Sequence, residues 1–363
     1  MPKKKSKVTT RDIAAMLGIS QTTVSMILSG RKDIHFKEST VQKVQECADK
    51  MGYRYRPRIN KEKDLKKTIL IMCPSLATEY YTTLIQAITI SANNKGLYTM
   101  TADTSRKREM EEIYLNMAEE ADFYGIIYTY APKSIDRIQQ MTKNRAMVLI
   151  SDYNPYLRIP LIELDSKKSG SLIANHLLSL GHRHIAYLTT PLNPSELPRR
   201  RRVDGMREVW KDAGLDPEDV KIIALTEEEW DYYLLGNRYY DAGYQLTMRF
   251  FAENPISLVT AFVGTNDLVS IGIMDALTKM GYQIPKDYSV CGFDNTLSAS
   301  FAGISLTSIE HSIMEKGKAA VDMVLREHTS LNSDHDAGPS PVMRLEYEPQ
   351  LLVRNSTGPA RVL

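Results

Sequence analysis

Cysteine is scarce and odd in number: Cys47, Cys73 and Cys291 stand far apart in the chain. That spacing argues against a disulfide framework or a CxxC metal site and fits a reducing compartment, with the three thiols as core fillers. Long apolar runs are also missing. Met1 and Pro2 are followed by Lys3, Lys4, Lys5 and Lys7, with no hydrophobic stretch of signal-peptide length behind them and none of membrane-spanning length later. A cytoplasmic protein with no membrane partner is therefore expected. Enzyme signatures are lacking too: there is no GxGxxG after a strand, no Walker loop, no HExxH and no GxSxG. His182 and His184 form the one close histidine pair, and the further ligands a metal would need are not advertised. Neither metal nor cofactor is expected.

What is present is ordinary globular composition, 43% hydrophobic and 25% charged over 363 residues, enough for two or three domains. The net charge of +2 conceals a division. Residues 1–67 hold 17 Lys and Arg against 7 Asp and Glu, and the remainder holds 29 against 37, so a balance of +10 precedes one of −8. A compact basic module on an acidic body is the electrostatic footprint of a nucleic-acid reader, because neutralised phosphates release counterions. A solvated basic tail accounts for Lys3 to Lys7, but not for the patterned stretch that follows.

Residues 9–30, TTRDIAAMLGISQTTVSMILSG, read as two short helices joined by a tight turn. Thr9 and Asp12 have the spacing of a capping box, and Ile13, Ala14, Met16 and Leu17 supply a buried stripe. Gly18 suits the left-handed exit from the first helix and Ser20 the cap of the second. In that second helix Thr23, Val24, Ile27 and Leu28 share one face, while Gln21, Thr22, Ser25, Met26 and Ser29 share the other. The stretch is either a DNA-reading helix-turn-helix or an ordinary helical hairpin. A third helical pattern, Val41, Val44, Cys47, Ala48 and Met51, ends at Gly52. Residues 53–60 alternate basic and aromatic side chains around Pro57, and read either as a groove-tracking linker or as a plain tether.

From Lys67 onward, short apolar runs alternate with amphipathic stretches. Strands are expected at 69–72, 98–102, 125–128, 146–150, 185–189, 221–225, 261–263 and 289–291. Helices are expected at 84–95, 110–118, 135–141, 172–180, 203–213, 239–251 and 268–280. This alternation predicts an α/β core with doubly wound parallel sheets, and its length suggests two subdomains with a ligand cleft at the strands' carboxyl ends. Arg199, Arg200, Arg201 and Arg202 are either a solvated run or a source of one guanidinium aimed into that cleft. Asn266, Asp267 and Asp294 follow expected strands and serve as helix caps or ligand groups. Tyr80 and Tyr81 are core packing or an aromatic platform.

These segments together resemble the LacI/GalR (lactose-repressor) family of bacterial transcription regulators over nearly the whole chain. The resemblance is carried by residues 9–30, 51–53, 176–186, 200–205, 265–268, 284–290, 292–294, 306–309 and 348–357. It implies a three-helix DNA-binding domain over 1–53, a hinge over 54–67, a periplasmic-binding-protein-like effector and dimerisation domain over 68–357, and a tail over 358–363. Within that core it implies subdomains of about 68–181 with 300–328 and about 182–299 with 340–357, joined by three crossovers. The implied partners are a near-palindromic double-stranded operator, a second copy of the chain, and a sugar or related metabolite.

By position, the resemblance gives base contacts to Gln21, Thr22 and Met26 and phosphate contacts to Thr10, Thr23 and Ser25, with Ser29 and Tyr53 beside them. Met26 stands where relatives frequently carry arginine or histidine, and offers only an apolar contact. The family's leucine-wedge hinge is replaced by Arg54, Arg56, Arg58 and Ile59. Effector contacts fall to Tyr80, Tyr81, Arg202, Asn266, Asp267 and Asp294, with Trp230, Tyr232 and Tyr233 in a loop that adds stacking. The expected function is a non-enzymatic, ligand-responsive regulator, most often a repressor of carbohydrate or related genes in this family. The alternative is a sugar-binding protein or sugar-metabolising enzyme whose basic N-terminus is incidental.

Overall fold

Thr9 starts the first helix because Asp12 reaches back to it: one carboxylate oxygen accepts from both the Thr9 backbone N–H and its hydroxyl, each at 2.8 Å. The computed structural model describes residues 8–29, 34, 36–53, 65–193, 197–236, 239–332 and 342–362, apart from the side chains of 231 and 233–236. The described residues through Tyr53 form one unit and those from Leu65 onward another.

In the first unit, α1 (Thr10–Leu17) stops at Gly18, whose φ of 65° is the left-handed conformation glycine adopts without strain. Ser20 then caps α2 (Gln21–Leu28) by accepting from the Thr23 N–H at 2.9 Å. With α3 (Glu38–Lys50), the helices enclose Ile13, Ala14, Val24, Ile27, Leu28, Val44, Cys47 and Ala48. Met16 departs from its expected burial and is 69% exposed. An eight-residue helix fills its packed face with Ile13, Ala14 and Leu17, so Met16 lies at the rim, its sulfur 3.7 Å from Cys47 Sγ.

The second unit contains two parallel sheets. The first has the order β11-β5-β4-β3-β1-β2, from β1 (Thr68–Cys73), β2 (Tyr98–Asp103), β3 (Gly125–Tyr128), β4 (Met147–Ser151), β5 (Leu161–Glu163) and β11 (Arg344–Glu346). Side chains alternate across it. Ile69, Ile71, Ile127, Val148 and Ile150 pack beneath α4 (Glu79–Asn93) and α12 (Ile313–Leu331). Leu70, Met72, Ile126 and Leu149 pack beneath α5 (Arg108–Glu120) and α6 (Ile135–Met141). Both faces being covered at the centre of the sheet, β1, β3 and β4 read as nearly unbroken apolar runs.

The second sheet, β7-β6-β8-β9, is built from β6 (Ile185–Thr189), β7 (Val220–Ala224), β8 (Ala261–Gly264) and β9 (Ser289–Cys291). Ile185, Tyr187, Ala261 and Val263 face α7 (Ser166–Ser179) and α8 (Leu197–Asp212). Ala186, Leu188, Phe262 and Val290 face α9 (Glu227–Gly236), α10 (Tyr239–Glu253) and α11 (Asp267–Lys279). Where α7 crosses α8, Gly170 lies against the Arg202 backbone and Gly205 against the Lys167 carbonyl, an approach closer than any Cβ allows.

Three crossovers join the sheets: β5 to α7, β10 (Ser308–Glu310) to α12, and β11 to β12 (Gln350–Leu352), with β10 and β12 paired antiparallel. This arrangement corrects the expected subdomain limits. Ile173, Ala174 and Leu177 of α7 belong to the second sheet's core, so the chain leaves the first sheet near Leu164 rather than at 181. Ala299, Leu306 and Ile309 also pack with the second sheet, and only α12 returns to the first. Within 340–357, β11 pairs with β5 of the first sheet. Residues 358–362 are not a loose tail: the Gly358 carbonyl lies 3.1 Å from His182 Nε2, Ala360 N–H donates to the Leu180 carbonyl, and Arg361 lies over the Tyr288 ring.

Candidate functional site

The carboxyl ends of both sheets face each other across a cleft, as the strand-order reversals at β1/β3 and β6/β8 require. The space between them is a cavity of about 80 Å³. From the first sheet come Thr78, Tyr80 and Tyr81 after β1, Arg106 after β2, Thr129 and Tyr130 after β3, and Ser151 closing β4. From the second come Arg199 and Arg202 on α8, Thr265 and Asn266 after β8, and Asp294 after β9. His311, in the β10–α12 crossover, completes the wall.

Arg202 is 8% exposed and donates to the Thr265 carbonyl, while its guanidinium carbon sits 4.1 Å above the centre of the Phe293 ring. Among the described residues its Nε has no hydrogen-bond partner. Asp294 is held at a φ of 111°, a strained conformation for a residue with a side chain. Burial pushes its carboxyl well above the usual range, and the Arg202 guanidinium pulls it back down. Burial likewise drives His311 well below the usual imidazole range, with Lys316 and Arg202 adding to the effect. The imidazole is therefore neutral at pH 7, both its nitrogens lack hydrogen-bond partners among the described residues, and its 4.0 Å approach to Asp294 is not a charged pair. Unpartnered buried donors and acceptors facing one cavity are groups waiting for a polar occupant.

Arg106 reaches this cavity from a loop in which it and Ser105 both adopt the left-handed conformation, at φ of 55° and 49°. Asp103 holds that loop by accepting from the Ser105 N–H at 2.7 Å, and Arg106 donates to the Tyr81 hydroxyl at 3.0 Å. Across the cleft mouth, Glu79 at the start of α4 accepts from the Leu297 N–H at 2.8 Å and the Ser298 hydroxyl at 2.9 Å, linking the two halves.

The structure thus brings Tyr80, Tyr81, Arg202, Asn266 and Asp294 together around one space. Asn266 does both of its expected jobs, lining the cavity while its side chain caps α11 through the Val269 N–H. Two expectations are corrected. Asp267 is fully buried away from the cavity, its carboxylate taken by the Thr296 N–H and hydroxyl and by the Ser308 hydroxyl. Despite those bonds, burial raises its pKa to about 6. Trp230 lies in α9 rather than in a loop, packed edge-on against Tyr239 in the core, and borders only a second, outer cavity. Tyr232, on the same helix, is 67% exposed, and the Tyr233 side chain lies outside the described residues. Sequence reasoning missed Arg106 and His311, whose signal was position, just beyond strand ends, rather than any motif; of the run 199–202, which was expected to send one guanidinium into the cleft, the helix α8 brings both Arg199 and Arg202 to it.

In the first unit, Gln21, Thr22 and Ser25 are exposed on one side of α2, while Thr23, Met26 and Ser29 are half-buried. Gln21 donates to the Thr10 hydroxyl at 3.2 Å, which ties the starts of the two helices together. Thr23 Oγ1 lies 2.8 Å from Ser20 Oγ, and Tyr53 packs against the helical core. Arg54, Arg56, Arg58 and Ile59 lie outside the described residues.

A profile of the periplasmic binding protein-like domain matches residues 174–357. Among curated proteins, the chain is 28% identical to the HTH-type transcriptional regulator MalR of Streptomyces coelicolor, over 97% of this chain and 98% of that one. It is 26% identical to the HTH-type transcriptional regulator DegA of Bacillus subtilis, over 97% and 99%. Among solved structures, the Lac repressor dimer bound to operator and the anti-inducer ONPF superposes with a TM-score of 0.68 at 22% identity, covering 97% of this chain and 100% of that one. A helix-turn-helix unit followed by two parallel sheets with three crossovers agrees with those matches from end to end. The chain belongs to the LacI/GalR family of helix-turn-helix transcription regulators, built on a periplasmic binding protein-like domain.

Proposed function

We propose that this protein is a ligand-responsive, sequence-specific DNA-binding regulator that works in the cytoplasm, without catalysis, as a homodimer. The observation that carries the reading is the cleft between the sheets, where Arg202, Asp294 and His311 are buried around one shared cavity. Arg202 and Asp294 hold the effector's hydroxyls there, Asn266 borders them, and Tyr80 and Tyr81 offer ring surface. Gln21 and Thr22 read base edges in the major groove, Met26 meets an apolar base edge, and Thr10, Thr23, Ser25 and Ser29 meet the backbone. Tyr53 and the hinge side chains Arg54, Arg56, Arg58 and Ile59 extend that contact.

Dimer formation is supported by apolar side chains left exposed at the open edge of the first sheet: Tyr98 and Met100 on β2, and Ile113 and Met117 on α5. The Lac repressor structure, which carries operator and anti-inducer together, supports the pairing of the two ligands. Regulation follows from linkage. An effector that binds one relation of the subdomains better than another shifts that equilibrium, and coupling of about 1–3 kcal/mol is the typical scale.

The test is selection of binding sites from random duplex DNA, followed by titration at two salt concentrations. A near-palindromic site with affinity falling steeply in salt is expected. Weak, salt-insensitive binding together with turnover of a sugar would refute the reading.

A further inference from the structure

We propose that Met16, Cys47 and Met51 form a binding site for one soft monovalent cation, copper(I) by its chemistry, in the helix-turn-helix unit.

Three sulfurs converge there from two helices. Cys47 lies on α3 and Met51 at its C-terminal cap, four residues on, so both project from one face. Met16 comes from the last turn of α1. Its sulfur lies 3.7 Å from Cys47 Sγ, and the Met51 sulfur lies 3.8 Å from the same atom. Metal–sulfur bonds of about 2.3 Å, set at 120° around one ion, place neighbouring sulfurs about 4 Å apart. The thiol is therefore already spaced from each thioether, to within about 0.3 Å, as a three-coordinate ion requires. Burial supplies a way in. Cys47 is 7% exposed and belongs to the helical core, whereas Met16 is 69% exposed at its rim. An exposed methionine whose sulfur nonetheless meets a buried thiol can swing its flexible side chain aside for an entering ion and close over it.

The donor set selects the ion. Thiolate and thioether sulfurs are soft ligands that favour copper(I), whereas a structural zinc site needs four thiolate, imidazole or carboxylate ligands. Among the described residues no three His, Cys, Asp or Glu side chains gather to hold a metal ion, so it is methionine that completes this site. Charge points the same way. On binding, the Cys47 thiol gives its proton to solvent, and the thiolate formed neutralises one monovalent cation. A divalent ion would leave a positive charge unbalanced and partly buried in the stretch 1–67, where Lys and Arg already outnumber Asp and Glu by ten. The other two thiols offer no rival site, since Cys73 in β1 and Cys291 in β9 are each fully buried.

The test is anaerobic titration of the full, reduced chain with copper(I) in competition with the chromogenic chelator bicinchoninate, with zinc(II) titrated in parallel. One copper(I) per chain is expected to be held against the chelator, zinc(II) is not, and X-ray absorption should show a shell of three sulfurs around the copper. Cys47→Ala should abolish the binding. Met16→Leu and Met51→Leu should each weaken it by about tenfold or more, and because leucine nearly matches methionine in volume, the helical core should survive both changes. Met16→Leu alters only the exposed rim, and the absorption spectrum is taken on the unaltered protein, so the test stands even if the Cys47 variant folds poorly. Failure to hold copper(I) against the chelator overturns the proposal, as does zinc(II) bound as tightly as copper(I). Binding that survives Cys47→Ala, binding that neither leucine variant weakens, or a copper ion with a single sulfur neighbour overturns it equally.

Discussion

Gly170→Ala adds one methyl group at the α7–α8 crossing, and the geometry fixes what it must do. A Cβ at residue 170 would stand 2.1 Å from the Arg202 carbonyl oxygen, 2.8 Å from its carbon and 2.9 Å from its Cα. Ordinary contact needs about 3.5 Å, so the helices must part by roughly 1.4 Å at that point. All three neighbours are backbone atoms, which no rotamer change moves aside. Overpacking of this kind costs about 1–3 kcal/mol, and alanine's advantage over glycine inside a helix returns about 0.5–1 kcal/mol. A net loss of about 1–2 kcal/mol is expected, a fall in melting temperature of about 2–8 °C at the scaling of larger domains. Because α8 carries Arg199 and Arg202, the same displacement should weaken the effector by about tenfold or more. Thermal unfolding by circular dichroism reads the first effect and calorimetry the second. Gly303→Ala is the control, since nothing lies within 4 Å of a Cβ built there. A Gly170→Ala protein that melts with the wild type and the control would refute the backbone-contact argument outright.

Burial lowers the pKa of His182 from 6.5 to about 4. Its stabilising contribution is therefore whole above pH 6.5 and lost as pH falls toward 4, at up to about 1.4 kcal/mol per pH unit. Urea titrations should show His182→Gln less stable than wild type at pH 7, with the gap closing by pH 4.5; a constant gap contradicts the assignment. Glu79→Gln removes the charged acceptor that spans the cleft mouth and should loosen effector binding by about fivefold, roughly 1 kcal/mol for a half-exposed bond; equal affinity in calorimetry would count against the latch. Gln21→Ala and Thr22→Ala should each cost about 1–3 kcal/mol on the selected operator while leaving the salt slope intact, and a changed slope would mean phosphate contact instead. Met100→Glu should dissociate the dimer in sedimentation velocity, and a dimer that survives moves the interface elsewhere.

The strands that sequence alone made legible are the central ones. Residues 69–72, 125–128 and 185–189 sit between two helical layers, so every residue is buried, nearly all are apolar or aromatic, and the run is unmistakable. β5, β10, β11 and β12 are three residues each, too short to show a period, and none was expected. α9 escaped because Glu227, Glu228 and Glu229 look like loop, although acidic residues in a first turn suit a helix dipole. The subdomain limits were misplaced for a different reason: nothing in local pattern marks where a chain leaves one sheet for another. At the site, Asn266 and Asp294 were readable from their places after strands, and Arg202 from the arginine run 199–202. Arg106 hid among the charged residues 106–109, and His311 stood alone, meaningful only once the crossover brought it beside Asp294.

The three crossovers also set an order in time. β11, which extends the first sheet beside β5, comes from residues 344–346, and α12, which covers one of that sheet's faces, from 313–331. During synthesis, the first sheet's central strands emerge long before either piece exists, with Ile69, Ile71, Ile127 and Val148 bare on one side. At about 5–20 residues per second that exposure lasts on the order of ten seconds or more. Such long-range closure slows folding and leaves an apolar face available to chaperones or to aggregation. A ribosome stalled before residue 313 should therefore carry a chain that holdase chaperones bind, and one stalled well past 346 should not.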